Sequence, residues 1–154
     1  MHSFRVIPIP AAAADKVRAT LRAPRYGHPA HVEMATGYGP CRACLRTFRT
    51  GEEERVLFTW NAFEGQEPYP SPGPVFIHHE RCEQWEGDGF PPELRALPLV
   101  LEGYAAGRWP VTREPATGDA VEDAIGRLFA NPAISYLHLR NGEAGCYIAR
   151  VERG

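Results

Sequence analysis

Lysine is almost missing from this chain: of 17 basic residues only Lys16 is not arginine. The base composition of a GC-rich genome accounts for that bias, and the arginines are too scattered to mark a phosphate or carboxylate site by themselves. An excess of either charge is missing too. The net charge is −2 and the pI about 6.3, which excludes the global basic field that drives non-specific binding to nucleic acid or anionic membranes. Long apolar runs are absent. The longest, Ala96 to Ala106, contains Pro98, Glu102 and Gly103 and falls far short of the roughly 18 residues of a spanning helix. Met1-His2-Ser3-Phe4-Arg5-Val6 lacks the basic stretch followed by a long apolar one that begins a secretory signal, so a cytoplasmic protein without a membrane partner is expected. Nor is there a G-x-S-x-G, an H-E-x-x-H, a phosphate-cradling glycine loop or a dinucleotide fingerprint, so the common hydrolase, zincin and nucleotide chemistries have no motif here.

Glycine and proline, by contrast, are plentiful at 15 each in 154 residues. That predicts many turns and short elements but lies below the roughly 25–30% typical of low-complexity chains. With 44% hydrophobic and 23% charged residues, the length suits one folded domain over residues 1–154 with a core of its own. Phe4 to Pro10 reads as an extended segment whose prolines keep it at a sheet edge. Ala11 to Leu21 reads as a helix with Ala14, Val17 and Leu21 on one face, followed by an aperiodic connection from Arg22 to Pro40. Arg55 to Asn61 alternates as a strand, and Val75 to His78 as a second that pairs with it. Pro91 to Arg95 looks like one proline-initiated helical turn, and Leu97 to Ala105 like a strand. Asp119 and Glu122 have capping-box spacing ahead of a helix with Val121, Ile125, Leu128 and Phe129 on one face, stopped by Asn131-Pro132. Ile134 to Arg140 and Cys146 to Glu152 form a glycine-rich hairpin. The expected class is α+β: a mixed, mainly antiparallel sheet, one long C-terminal helix, a shorter N-terminal helix, and long Gly/Pro-rich loops.

Cys41-Arg42-Ala43-Cys44 is a C-x-x-C, and His78, His79 and Cys82 follow later. Two thiolates from one tight turn plus a Cys and a His from a second make a Cys3His shell of the structural-zinc type. Pairing of the two strands between them would bring the halves together. The expected ligands are Cys41, Cys44, Cys82 and His78, with His79 as the alternative to His78, since alternation does not choose between adjacent residues. Two points count against a zinc knuckle: no glycine follows the second cysteine, and the second half is not another C-x-x-C. The rival readings are buried thiols acting as small apolar groups, and a dithiol that cycles with a disulfide through the C-x-x-C or through Cys44 with Cys82. Arg42, Arg46 and Arg49 form a local basic cluster, but Glu52, Glu53 and Glu54 offset it, so nucleic acid is not the expected partner.

A second constellation sits on the terminal hairpin: His138, Arg140, Asn141, Cys146 and Arg150. A thiol beside a histidine and an arginine is an activated nucleophile, so His138, Cys146 and Arg150 are the catalytic candidates should the chain be an enzyme. Register decides: an odd loop places His138 opposite Cys146, an even one does not. A third use of the chain, protein interaction, would draw on Trp60, Phe63, Tyr69, Trp85 and Trp109.

Gly39-Pro40-Cys41-Arg42 with Leu45 and Gly51-Glu52, Tyr69 with Gly73-Pro74-Val75-Phe76, and Tyr136-x-His138-x-Arg140-Asn141 with Gly145-Cys146-Tyr147-x-Ala149-Arg150-Val151 together resemble the bacterial domain-of-unknown-function family 1203 (DUF1203). The resemblance spans nearly the whole chain. It implies a small bacterial protein and brings no activity, cofactor or catalytic residue with it. The matching positions Cys41, Arg42, Gly73, Pro74, His138, Asn141, Cys146 and Arg150 are candidates for a shared site. Together these observations lead to the expectation of a zinc-binding accessory or binding module for an unidentified small molecule or protein, with an enzyme using His138, Cys146 and Arg150 as the alternative.

Overall fold

A computed structural model describes residues 3–37, 39–64 and 71–154; Tyr69 lies outside them. Along the chain come β1 (Phe4–Ile7), α1 (Ala11–Thr20), β2 (His31–Met34), β3 (Glu54–Asn61), β4 (Pro72–His78), a 3-10 turn (Pro92–Ala96), β5 (Leu99–Tyr104), β6 (Pro110–Ala116), α2 (Ala120–Phe129), β7 (Tyr136–Asn141) and β8 (Tyr147–Arg153). The class is α+β, but the strands divide into two sheets rather than one. A five-stranded sheet has the order β1-β8-β7-β5-β6 and a three-stranded sheet the order β2-β3-β4. Every pairing among these strands is antiparallel, so the expected mixed sheet is not found. No helix among the described residues is long and apolar enough to cross a membrane.

Two cores explain the division. Alternation sends Leu99 and Leu101 of β5, Leu137 and Leu139 of β7 and Val151 of β8 to one side of the larger sheet, where α2 lays Val121, Ala124, Ile125 and Leu128 on them. The smaller sheet packs Val56, Phe58 and Trp60 of β3 and Val75 and Ile77 of β4 against Ile9 and against Ala14 and Val17 of α1. Each core holds one residue from the other's territory. Leu45, beside Cys44, belongs to the α2 core, and Tyr147 of β8 belongs to the α1 core.

Several elements differ from expectation. α1 and α2 have 10 residues each, so there is no long C-terminal helix. Asp119 precedes α2 without a capping hydrogen bond from its side chain, its backbone being already helical, while Glu122 pairs with Arg95. Leu21 does not extend the buried face of α1. It caps the helix with φ 51° in the left-handed region, and its side chain is turned toward solvent. β2 and β6 had no periodic signal and are edge strands. β1 is an edge strand too, as its prolines require.

Candidate functional site

The chain from Pro40 to Thr47 folds into a tight turn closed by a bridge between these two residues. Inside it Cys41 donates its N–H to the Arg46 carbonyl and accepts from Leu45 N–H, both at 2.9 Å. The residue after Cys44 has φ 58°, the left-handed conformation for which glycine is favoured. Leucine accepts that strain because its side chain, fully buried, is anchored in the α2 core. The knuckle geometry that a missing glycine argued against is therefore formed. Three further bonds fix the turn: Ile9 N–H to the Arg42 carbonyl, Arg42 N–H to the Phe76 carbonyl, and Trp85 N–H to the Ala43 carbonyl.

β3 and β4 pair as expected, with Arg55 opposite His78. Residues just past the end of β4 thus return to the knuckle. Cys41, Cys44, His78 and Cys82 converge so that their ligand atoms all lie within 4.8 Å of one another, the first three residues buried and Cys82 half-buried. A zinc tetrahedron with bonds of about 2.3 Å to sulfur and 2.0–2.1 Å to nitrogen has S···S edges of about 3.8 Å and S···N edges of about 3.6 Å. The Cys41–Cys82 sulfurs are 3.7 Å apart, and Cys44 Sγ is 3.5 Å from His78 Nδ1. All four cysteines of the chain are free thiols, with that sulfur pair far beyond the roughly 2.05 Å of a disulfide.

The surroundings suit a cation. Glu53 Oε1 lies 3.2 Å from His78 Nε2 and accepts Arg49 N–H at 2.7 Å. A proton on Nε2 held by that carboxylate leaves the Nδ1 lone pair directed at Cys44, the arrangement metal-bound histidines use. Phe48 packs on the imidazole at 4.5 Å. His78 N–H donates to Cys41 Sγ at 3.3 Å, and Arg18 reaches from α1 with Nη2 to Cys82 Sγ at 3.3 Å and Nε to the His78 carbonyl at 2.9 Å. Burial disfavours a charged His78, yet its hydrogen bonds to the cysteines outweigh that and hold its pKa up to about 12, so a metal ion binding at Nδ1 would have to displace a proton there. Arg46 is likewise raised, first by its hydrogen bond to Cys44. Glu53 is lowered, chiefly by the Arg49 backbone N–H, against an opposing desolvation. Sequence reasoning found the four cluster residues but neither Glu53 nor Arg18. Nothing in the sequence separates Glu53 from the flanking Glu52 and Glu54.

His79 stands apart: its Nδ1 is 3.4 Å from Glu54 Oε1 and its N–H donates to the Glu54 carbonyl. Nor do the three knuckle arginines share a face. Arg42 is buried, bonded to the carbonyls of Pro40 and Tyr147 at 2.7 and 2.8 Å, and desolvation lowers its pKa to about 10. Arg49 pairs with Glu53. Of the aromatic residues considered for interaction, Trp60 and Phe63 are buried, and Trp109 is exposed.

The profile of the family described as "Protein of unknown function (DUF1203)" matches residues 38–153. The chain belongs to this family. No curated protein and no solved structure matches it. The DUF1203 region begins at the knuckle and contains all four cluster residues, whereas Arg18 on α1 lies ahead of it.

The terminal hairpin of the DUF1203 region does not bring His138 and Cys146 opposite each other. A bulge between Leu139 and Arg140 shifts the register, so His138 faces Arg150 and Arg140 faces Tyr147. Cys146 precedes β8, half-buried, and its carbonyl accepts Asn141 N–H at 2.9 Å. Asn141 Oδ1 binds the Glu143 and Ala144 N–H groups at 2.8 Å, which makes it a loop-shaping residue. His138 is 1% exposed, ringed by Phe63, Tyr104, Tyr136 and Tyr147, and its Nδ1 has no hydrogen-bond partner among the described residues. Desolvation first, then Arg140 and Arg150, lowers its pKa to about 3. An imidazole so placed is neutral at neutral pH, and the register sets it opposite Arg150 rather than Cys146.

Proposed function

We propose that this DUF1203 chain is a zinc-binding accessory or binding module in which Cys41, Cys44, Cys82 and His78 Nδ1 hold one structural zinc ion. The observation that carries the reading is the convergence of four ligand atoms within 4.8 Å, with edges of 3.7 and 3.5 Å, from two turns distant in sequence. Four protein ligands leave no open position for water, so the metal's work is architectural rather than hydrolytic. It ties the knuckle to the end of β4, and the knuckle's hydrogen bonds carry that tie to the segment after β1, to Trp85 and, through Arg42, to β8. The thiolate-rich donor set favours zinc over magnesium or calcium, which take oxygen ligands.

Metal analysis of the purified chain by plasma mass spectrometry tests this reading. It is expected to find about one zinc per chain, released when a mercurial blocks the thiols and read with a chromogenic chelator. Cys82→Ser, which alters the most accessible ligand, is expected to lose the metal, while His79→Ala keeps it. A metal-free parent under reducing conditions, or a Cys82→Ser protein as stable as the parent, defeats the proposal.

A further inference from the structure

The face of the five-stranded sheet turned away from α2 carries polar groups that the metal cluster does not use. Register aligns Arg113 of β6, Glu102 of β5, His138 of β7 and Arg150 of β8 in one cross-strand row, with Tyr104 opposite Tyr136 one step along. Glu102 is the hub. Its Oε1 accepts the Tyr104 hydroxyl at 2.8 Å and Arg140 Nε at 2.5 Å, and its Oε2 accepts Arg113 Nε at 3.2 Å. Both guanidinium groups are thus held by one edge. Arg140 gives Nη1 to the Gly145 carbonyl at 3.1 Å, and its Nη2 and both Nη groups of Arg113 bond to no described residue.

Arg113 and Arg140 line, with Arg108, a recess of about 350 Å³ whose apolar side is made by Phe63, Tyr104 and Pro110, the Arg108 guanidinium lying over the Phe63 ring 4.5 Å from its centroid. The three guanidinium groups outnumber the one carboxylate that lines the recess, and the outer Nη edges of Arg113 and Arg140 match a second carboxylate in fork geometry. His138 packs against two of the recess walls, with ring centroids 4.6 Å from Phe63 and 4.9 Å from Tyr104. Its buried Nδ1 has no hydrogen-bond partner among the described residues.

We infer that this recess binds a small organic carboxylate with a flat apolar body. The carboxylate bridges Arg113 and Arg140, and the body lies against Tyr104 and Pro110. The apolar wall beside the fork edges suits a carboxylate with an organic body better than a bare phosphate, and the volume leaves room for a molecule the size of benzoate.

The test is a titration of the full-length 15N-labelled protein with benzoate, benzamide and inorganic phosphate, followed by NMR. Benzoate is expected to shift the amide signals of Glu102, Gly145 and Ser71 saturably, with benzamide, its uncharged isostere, at least about tenfold weaker. Arg140→Gln is expected to abolish the shifts and Arg113→Gln to weaken binding about fivefold or more at unchanged zinc content. Arg113 is well exposed, so its variant gives a readable answer even if Arg140→Gln does not fold. Absence of saturable shifts with benzoate, equal binding of benzamide, tighter binding of phosphate, or an Arg113→Gln protein with parental affinity each overturns the inference.

Discussion

The two halves of the molecule are built from different material. The core between α2 and the five-stranded sheet contains Leu45, Leu94, Leu97, Leu99, Leu101, Leu128, Leu137 and Leu139, with Ile125, Ile134 and Ile148 among them. The core beneath the three-stranded sheet contains no leucine; it is assembled from alanine, valine, two isoleucines, aromatic rings, Cys41 and Cys44. Small units bury too little apolar surface to stand alone and recruit disulfides or metals instead. The half poor in large aliphatic side chains is the one that carries the Cys3His cluster, and the half rich in them has none among the described residues. The comparison teaches that the cluster sits where the sequence supplies the least aliphatic burial, the place where the proposed metal would add most.

The largest effect expected from this contrast is that of metal removal. Structural zinc sites in small peptides contribute on the order of 10 kcal/mol, so chelation or Cys44→Ser should strip hydrogen-exchange protection from β3 and β4 first and most deeply. Equal loss in β5 and β7 would break the contrast. Leu139→Ala attacks the other half, at a fully buried position. A cost of about 2–5 kcal/mol is expected in denaturant melts, at parental zinc content. Glu53→Gln should weaken zinc binding about 10–100-fold in a chelator competition, because His78 Nε2 loses its carboxylate. The smallest effect has the opposite sign. His138→Phe removes an unsatisfied buried nitrogen and should stabilise the fold by about 1–2 kcal/mol at neutral pH. It should also flatten the acid limb. The fold keeps His138 neutral down to about pH 3, whereas the unfolded chain protonates it below about 6.5. The parent therefore loses up to about 1.4 kcal/mol per pH unit across that window as pH falls, a slope that the phenylalanine variant lacks. Denaturant melts at a series of pH values measure both.

What could be read from the sequence tracks burial. α1, β3, β4, α2, β7 and β8 each bury one face against a core, and each left a period to read. β2 and β6 are edge strands with mostly exposed or half-exposed residues, so neither has an apolar alternation, and Pro110 and Pro115 argue against a strand by local rules that an edge does not enforce. The cluster was legible through Cys spacing, whereas the choice between His78 and His79 waited on the packing of Phe48 and the reach of Glu53. The left-handed backbone at Leu45 was illegible in principle, since its cause is a contact with the other half of the chain. Likewise the bulge at Leu139/Arg140, which parts His138 from Cys146, leaves no mark in residue types.

The pairing of β1 with β8 sets Phe4 against Arg153 and Ile7 against Arg150, and Gly154 N–H reaches the Ser3 carbonyl at 2.9 Å. A contact between such distant points closes a loop holding nearly the entire chain, the costliest closure in the molecule, whereas the knuckle and the β7–β8 hairpin close within a few residues. β1 thus pairs only with β8, at the edge of the sheet, and adds Phe4 and Val6 to the core from there. A detached peptide carrying Phe4–Ile7 should accordingly be able to supply that strand in trans to a chain that lacks it.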